Sequence, residues 1–294
     1  MKASAFAYAR ATSLANALEL LATHGDKAKV LSGGQSLIPA MNLRLVSPEL
    51  IVDIGDLGEL RGIAVKGETL VIGALTRHAD LLKSSHIVKC APLLAAAVAH
   101  VAHPAIRNRG TIGGSLAQAD PASELPACML ALGATIVVRG KGGERRIAAE
   151  EFFTGIYETK LGPQDLLVAI EVPVASPGSA HFFQEFARRH GDYAIVGLAA
   201  QVMRQGDRFA DLRLGFFAVG DTPVLAKAAA AMLTGAAITP ELLAEASAAL
   251  ASELNPHEDQ QATPAMRRHL ARVLLARCLA TLLNRPDLQT GAGV

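Results

Sequence analysis

Cysteine is scarce and scattered: Cys90, Cys128 and Cys278 lie 38 and 150 residues apart. An iron–sulfur cluster takes four thiolates, usually clustered in sequence, and structural zinc takes paired ligands, so this chain builds neither alone. Their apolar settings (ACML, ARCLA) suit small buried hydrophobes in a reducing compartment. Net charge is nearly absent too: 28 Lys and Arg against 27 Asp and Glu leave +1, too little to steer the protein onto nucleic acid or anionic lipid. Long apolar runs are missing. Apolar residues make up 51%, yet charges such as Arg77, Asp120, Glu124 and Arg139 interrupt every run before the roughly 18 residues a bilayer span requires. MKASAFAYAR holds no apolar stretch of signal-peptide length, so a cytoplasmic location is expected. No G-x-x-x-x-G-K-[ST] occurs and no G-x-G-x-x-G follows a strand, which removes the P-loop and Rossmann readings. Gly140-Lys141-Gly142-Gly143 lies between TIVVR and ERRIA, where a hairpin turn explains it.

What is present is enough chain, 294 residues, for two or three compact units. Thr12 and Ser13 precede ANALELLATHG, an amphipathic helix with Gly25 at its expected stop. AKVLS and LIVDIG read as strands on either side of a loop and a short helix. GIAVKGETLVIGALT reads as a hairpin about Lys66-Gly67-Glu68, followed by helices from Ala79 to Val101. Pro173, Pro177 and Gly178 mark a domain boundary. Beyond it HFFQEFARR, AIVGLAAQVMR and DLRLGFFAVG read as strands. Helices are expected to open at Thr222-Pro223, Thr239-Pro240 and Thr263-Pro264, each with a threonine cap and a proline in the first turn. In the last helix Arg267, Arg268 and Arg272 lie off the apolar face and read as solvated or partner-facing.

Two loops carry the chemistry: Ser32-Gly33-Gly34-Gln35-Ser36 after a strand, and Thr111-Ile112-Gly113-Gly114-Ser115. Paired glycines let successive N–H groups point into one concavity, and the flanking hydroxyls add donors, so two such loops face to face would hold both halves of a pyrophosphate without any lysine. Either alone is explained by an ordinary glycine turn; the pair, each running into a helix, points to a nucleotide. His100 and His103 have the i, i+3 spacing of metal ligands but no third ligand nearby, so no metal is assigned.

LSGGQSLIPAMNLRL at 31–45 and NRGTIGGSLAQADPASELPA at 108–127 resemble the two flavin loops of the medium, FAD-binding subunits of molybdenum hydroxylases, the carbon monoxide dehydrogenase and xanthine dehydrogenase group. FFTGIYETKLGPQDLLVAIEVP, ARRHGDYAIVGLAA and MRRHLARVLLARCL extend the resemblance, in order, over nearly the whole chain. It implies an α+β protein: a two-lobed FAD domain of the vanillyl-alcohol-oxidase/PCMH type over 1–178, with lobes of about 1–56 and 57–178, then a C-terminal antiparallel sheet with helices over 179–294. It also implies that Ser32, Gly33, Gly34, Gln35, Ser36 and Leu37, with Thr111, Ile112, Gly113, Gly114 and Ser115, hold the FAD pyrophosphate. Asp120 and Glu124 would make polar contacts along the flavin, Leu167 would lie beside it and Tyr193 near its ring.

Several positions have competing explanations. Asp120 is also a helix N-cap candidate with Pro121 in the first turn, and Glu124 a first-turn acid. Tyr193 enters a strand and suits a core, and Lys160 suits solvent. Gln35 and Gln118 stand where some relatives carry histidine.

The function implied is electron transfer within a complex. A small subunit would carry two [2Fe-2S] clusters, consistent with this chain's lack of clustered thiols, and a large subunit the molybdenum–pterin cofactor. The assembly expected is a dimer of heterotrimers, and no catalytic acid or base is assigned to this chain. The alternatives are a stand-alone FAD-dependent oxidase or reductase of the same fold, and a non-enzymatic nucleotide-binding module.

Overall fold

The computed structural model describes residues 2–290. The first lobe is a small parallel sheet: β1 (Ala7–Arg10), α1 (Leu14–His24), β2 (Ala28–Leu31), α2 (Leu37–Asn42) and β3 (Leu50–Asp53), with β3 central between β1 and β2. Ser13 caps α1 by accepting from the Asn16 amide at 3.1 Å, and Gly25 ends the helix at φ +51°. Strand β1 went unread in the sequence, because three of its four residues are exposed and only the pairing with β3 holds it extended.

The second lobe is an antiparallel sheet. It contains β4 (Ile63–Lys66), β5 (Thr69–Gly73), α3 (His78–Lys83), α4 (Ser85–Cys90), α5 (Pro92–Val98), α6 (Pro104–Arg107), α7 (Ile112–Gln118), α8 (Glu124–Leu132), β6 (Thr135–Gly140) and β7 (Gly143–Ala148). Then come α9 (Ala149–Phe152), the small hairpin β8 (Phe153–Gly155) and β9 (Glu158–Thr159), and β10 (Leu166–Pro173). The strand order is β4-β5-β10-β6-β7, so the chain leaves the sheet after β5, builds its helices, and closes β10 between the two hairpins.

A third sheet, β11 (Ser179–Phe186), β12 (Val196–Gln205), β13 (Arg208–Phe217) and β14 (Val224–Leu225), is antiparallel and backed by α10 (Lys227–Leu233), α11 (Pro240–Glu253), α12 (Pro264–Leu283) and α13 (Asp287–Thr290). Thr239 and Thr263 cap α11 and α12 as expected, with proline in the first turn. Thr222-Pro223 does not open a helix. Val224 and Leu225 pair with Phe216 and Gly215 on the free edge of β13, and the helix begins only at Lys227. Arg267 is not solvated either. It is buried on α12, where its guanidinium donates to the carbonyls of Ile195 and Ala218 and to Asp259. The pitch of the helix turns it inward, and unpaired strand-end carbonyls give the charge its partners.

All nine residues of α8 are buried, and one apolar cluster joins Leu125, Met129 and Ile136 of the second lobe to Ala199 and Phe217 of the third sheet. Cys90, Cys128 and Cys278 are free and buried.

Candidate functional site

The first loop leaves the end of β2 and enters α2. Gly34 turns it at φ +73°, a left-handed conformation that favours glycine. Gln35 folds back so that its Nε2 donates to the Gly33 carbonyl at 3.0 Å. The N–H groups of Gly33, Gly34, Gln35 and Ser36 find no acceptor among the described residues, so the loop presents a cup of free donors.

The second loop works differently from the sequence expectation. The Ile112 and Gly113 amides donate to Thr76 and Ala74 carbonyls at 3.0 and 2.9 Å, and those of Gly114 and Ser115 to the Thr111 hydroxyl and carbonyl at 3.1 and 3.0 Å. Its amides are therefore spent on anchoring the loop and capping α7. Its glycines serve closeness instead. A Cβ on Gly113 would sit 2.6 Å from the Ala74 Cβ, and one on Gly114 would sit 2.9 Å from both the Ser32 Oγ and the Thr111 Oγ1. Those two hydroxyls hydrogen-bond each other at 3.2 Å, which joins the loops directly. Gly33 is the reciprocal point, since a Cβ there would lie 2.8 Å from the Gly110 Cα.

Beneath the junction His78 is buried, its Nε2 hydrogen-bonded to the Ser115 hydroxyl at 3.1 Å. Burial lowers its pKa to about 4, so the ring is neutral at pH 7.

A cavity of about 660 Å³ opens over the first loop. Besides Ser32, Gly33, Gly34, Gln35 and Thr111 it is lined by Arg10, Arg61, Arg77 and Arg109, with Asp53 and Asp56. Arg10 is paired with Asp56 at 3.1 Å, and Arg61 donates to the Gly55 carbonyl. The arginines escaped the sequence reading because they come from four separate segments and each looks locally like a surface charge.

The remaining expected residues gather elsewhere. Seven residues of α7, about 10 Å at 1.5 Å per residue, separate Thr111 from the turn at Asp120. Asp120 is not a helix cap: its carboxylate accepts from the Ala122 amide at 2.9 Å, and α8 begins at Glu124 with Ser123 in the cap position. Burial raises the Asp120 pKa, opposed by the Ala122 amide and by the nearby Tyr157 hydroxyl. Glu124 is buried at the start of α8, and desolvation raises its pKa to about 7. Tyr157 and Tyr193 are both exposed, at 54% and 65%, and both sense the Asp120 charge. Tyr157, at φ +57° on the tip of the β8–β9 hairpin, was not foreseen from the sequence.

Leu167 lies in the core with Ile112 and Leu116, beside a bulge in the β10–β6 pairing. Leu37 is half-buried at the first position of α2, and Ser36 is exposed. Lys160 is engaged by Glu151 at 2.9 Å. His100 reaches Glu185 at 3.4 Å and packs against Phe183, and no group of three metal-ligating side chains exists among the described residues.

Free amides, cationic walls and loops too tight for a Cβ fit a diphosphate. A separate polar and aromatic cluster a short helix away fits the other end of a long dinucleotide. These residues fit FAD.

The profile for the FAD-binding domain in molybdopterin dehydrogenase matches residues 4–175, and that for the carbon monoxide dehydrogenase flavoprotein C-terminal domain matches 181–282. The chain belongs to this flavoprotein family. Among relatives of the flavoprotein, the 6-hydroxypseudooxynicotine dehydrogenase complex subunit alpha of Paenarthrobacter nicotinovorans is 40% identical over 286 residues, 97% of each chain. The carbon monoxide dehydrogenase medium chain of Afipia carboxidovorans is 36% identical over 93% of this chain and 95% of its own. In structure, the flavoprotein matches carbon monoxide dehydrogenase from Hydrogenophaga pseudoflava with a TM-score of 0.94 at 36% identity, covering 97% of this chain and 99% of that one. It is an FAD-binding subunit of the molybdenum hydroxylase family, of the carbon monoxide and xanthine dehydrogenase type. No helix among the described residues is long and apolar enough to cross a membrane.

Proposed function

We propose that this flavoprotein is the electron-transfer subunit of a cytoplasmic molybdenum hydroxylase complex. It would accept electrons from [2Fe-2S] clusters on a small subunit, downstream of a molybdenum–pterin large subunit, and pass them to an external acceptor. The FAD, when bound, supplies the redox chemistry; the protein supplies binding, orientation and electrostatics. The observation that carries the reading is the first loop's cup of free amides, locked against the second loop through Ser32 and Thr111.

In this reading Ser32 to Leu37 and Thr111 to Ser115 hold the diphosphate, by amides on the first side and by hydroxyls and close approach on the second. Asp120 and Glu124 would meet ribityl hydroxyls or ring N–H groups rather than phosphate, since like charges repel. With its pKa raised to about 7, Glu124 keeps its proton in a large share of molecules at neutral pH, and in that form it has an O–H to donate. Tyr193 would cover the ring from the C-terminal side, and buried Leu167 would shape the floor behind it. The FAD domain is assigned to 1–178, in lobes of about 1–56 and 57–178, and the C-terminal domain to 179–294.

Affinity purification of the tagged chain from its own cells tests the reading. A flavin spectrum with bands near about 370 and 450 nm, and co-purifying chains that hold iron, sulfide and molybdenum, are expected. A flavin-loaded chain that purifies alone and turns over a small substrate would refute it in favour of a stand-alone oxidase. Absence of flavin would leave a bare nucleotide-binding module.

A further inference from the structure

Two of the cavity's arginines differ from the rest. Arg10 and Arg61 are occupied by Asp56 and by the Gly55 carbonyl, whereas the guanidinium groups of Arg77 and Arg109 have no partner among the described residues. Both are anchored at the loop junction. Arg77 is the direct cross-strand partner of Thr111, so the two side chains leave the same face of that bridge. The Thr111 hydroxyl on this face holds Ser32. His78, next in sequence, points the opposite way into the core beneath Ser115, which fixes the backbone from which Arg77 projects. Arg109 precedes Thr111 by two residues, and its carbonyl is the surface against which Gly33 packs.

Two exposed, unpaired forked cations thus flank four unpaired amides in one cavity, a donor set suited to an anion with several oxygens.

We propose that Arg77 and Arg109 clamp the diphosphate of the cofactor and set the preference for FAD over flavins that lack it. The proposal rests on the flavoprotein reading above and deepens it. The amides of Gly33 to Ser36 shape the cup, and the two arginines supply its charge, so affinity depends on salt through them.

The test strips the full-length chain of flavin and titrates it with FAD and with riboflavin, over a range of salt, for wild type and for Arg77→Ala, Arg109→Ala and the double variant. Each single change is expected to weaken FAD about tenfold and the double change more, with a flatter dependence on salt and riboflavin binding within twofold of wild type. Gln variants at both positions guard against misfolding, and thermal unfolding of the stripped chains should be unchanged, since both side chains are exposed. A double variant that matches wild type in FAD affinity and salt slope overturns the arginine assignment alone. A wild-type chain that takes up no FAD overturns the flavoprotein reading and the clamp with it. Where riboflavin binds too weakly to titrate, the salt slope decides.

Discussion

Gly33→Ala offers the most direct probe of the loop junction. The added methyl carbon would stand 2.8 Å from the Gly110 Cα and closer still to the Arg109 carbonyl oxygen. Ordinary carbon contacts lie at about 3.5–4.0 Å, so the loops must separate by about 0.7 Å or more. The Ser32–Thr111 hydrogen bond, 3.2 Å in the wild type, then stretches past its useful range. Overpacking of this kind costs about 1–3 kcal/mol, and the lost bond adds about 0.5–1.5 kcal/mol. Gly33 does not occupy the left-handed region, so the stiffer unfolded chain returns about 0.4–1 kcal/mol. The net penalty is about 1–3 kcal/mol, and because the free amides sit on the loop that moves, FAD affinity should fall roughly ten- to a hundredfold. Flavin content of the purified variant and fluorescence titration of the stripped chain measure this. Gly142→Ala, at a hairpin tip with nothing within 4 Å, is the matched control. A Gly33→Ala chain whose FAD affinity stays within twofold of wild type would refute the junction as the determinant of the cup.

Other perturbations have equally definite signs. Glu124 keeps its proton in the folded chain up to about pH 7 but releases it near 4.5 when unfolded, so its contribution to stability falls as pH rises through that window. Glu124→Gln removes the slope and should make the stripped chain up to about 3 kcal/mol more stable than wild type at pH 8 and no different at pH 4, by urea unfolding. His78 has the opposite sense: the unfolded ring protonates near 6.5 and the folded one only near 4, so stability is lost as pH drops between them, and His78→Gln should flatten that limb. Arg267→Ala strands the carbonyls of Ile195 and Ala218 and should cost about 2–3 kcal/mol in thermal or urea unfolding. Thr263→Ala removes the cap on the Met266 amide of α12 and should cost about 1 kcal/mol by the same assay.

Local chemistry made much of this molecule readable in its sequence. Ser32-Gly33-Gly34 and Thr111-Ile112-Gly113-Gly114 stand out because glycine beside hydroxyl is informative without knowledge of the fold, and Ser13, Thr239 and Thr263 cap helices through their own nearest neighbours. The failures lie where long-range pairing decides. β1 is extended only because β3 lies beside it, and Val224-Leu225 is a strand because the β13 edge was free. The second loop's amides looked available until Thr76 and Ala74, more than thirty residues earlier, consumed two of them. Arg77 and Arg109 become a pair only when a bridge brings residue 77 opposite residue 111.

Helix α8 is buried on every side because a sheet of the FAD lobe and the C-terminal sheet both rest on it. Arg213 of β13 reinforces the seam, donating to the Leu130 carbonyl at 2.9 Å and to Glu150 at 2.6 Å. A chain cut near Gly178 would strip one wall from that helix, so neither fragment would be a self-sufficient module. Gene shuffling between relatives should therefore tolerate crossovers in loops remote from this keel and reject exchange of the C-terminal half alone, unless residues 124–132 travel with it.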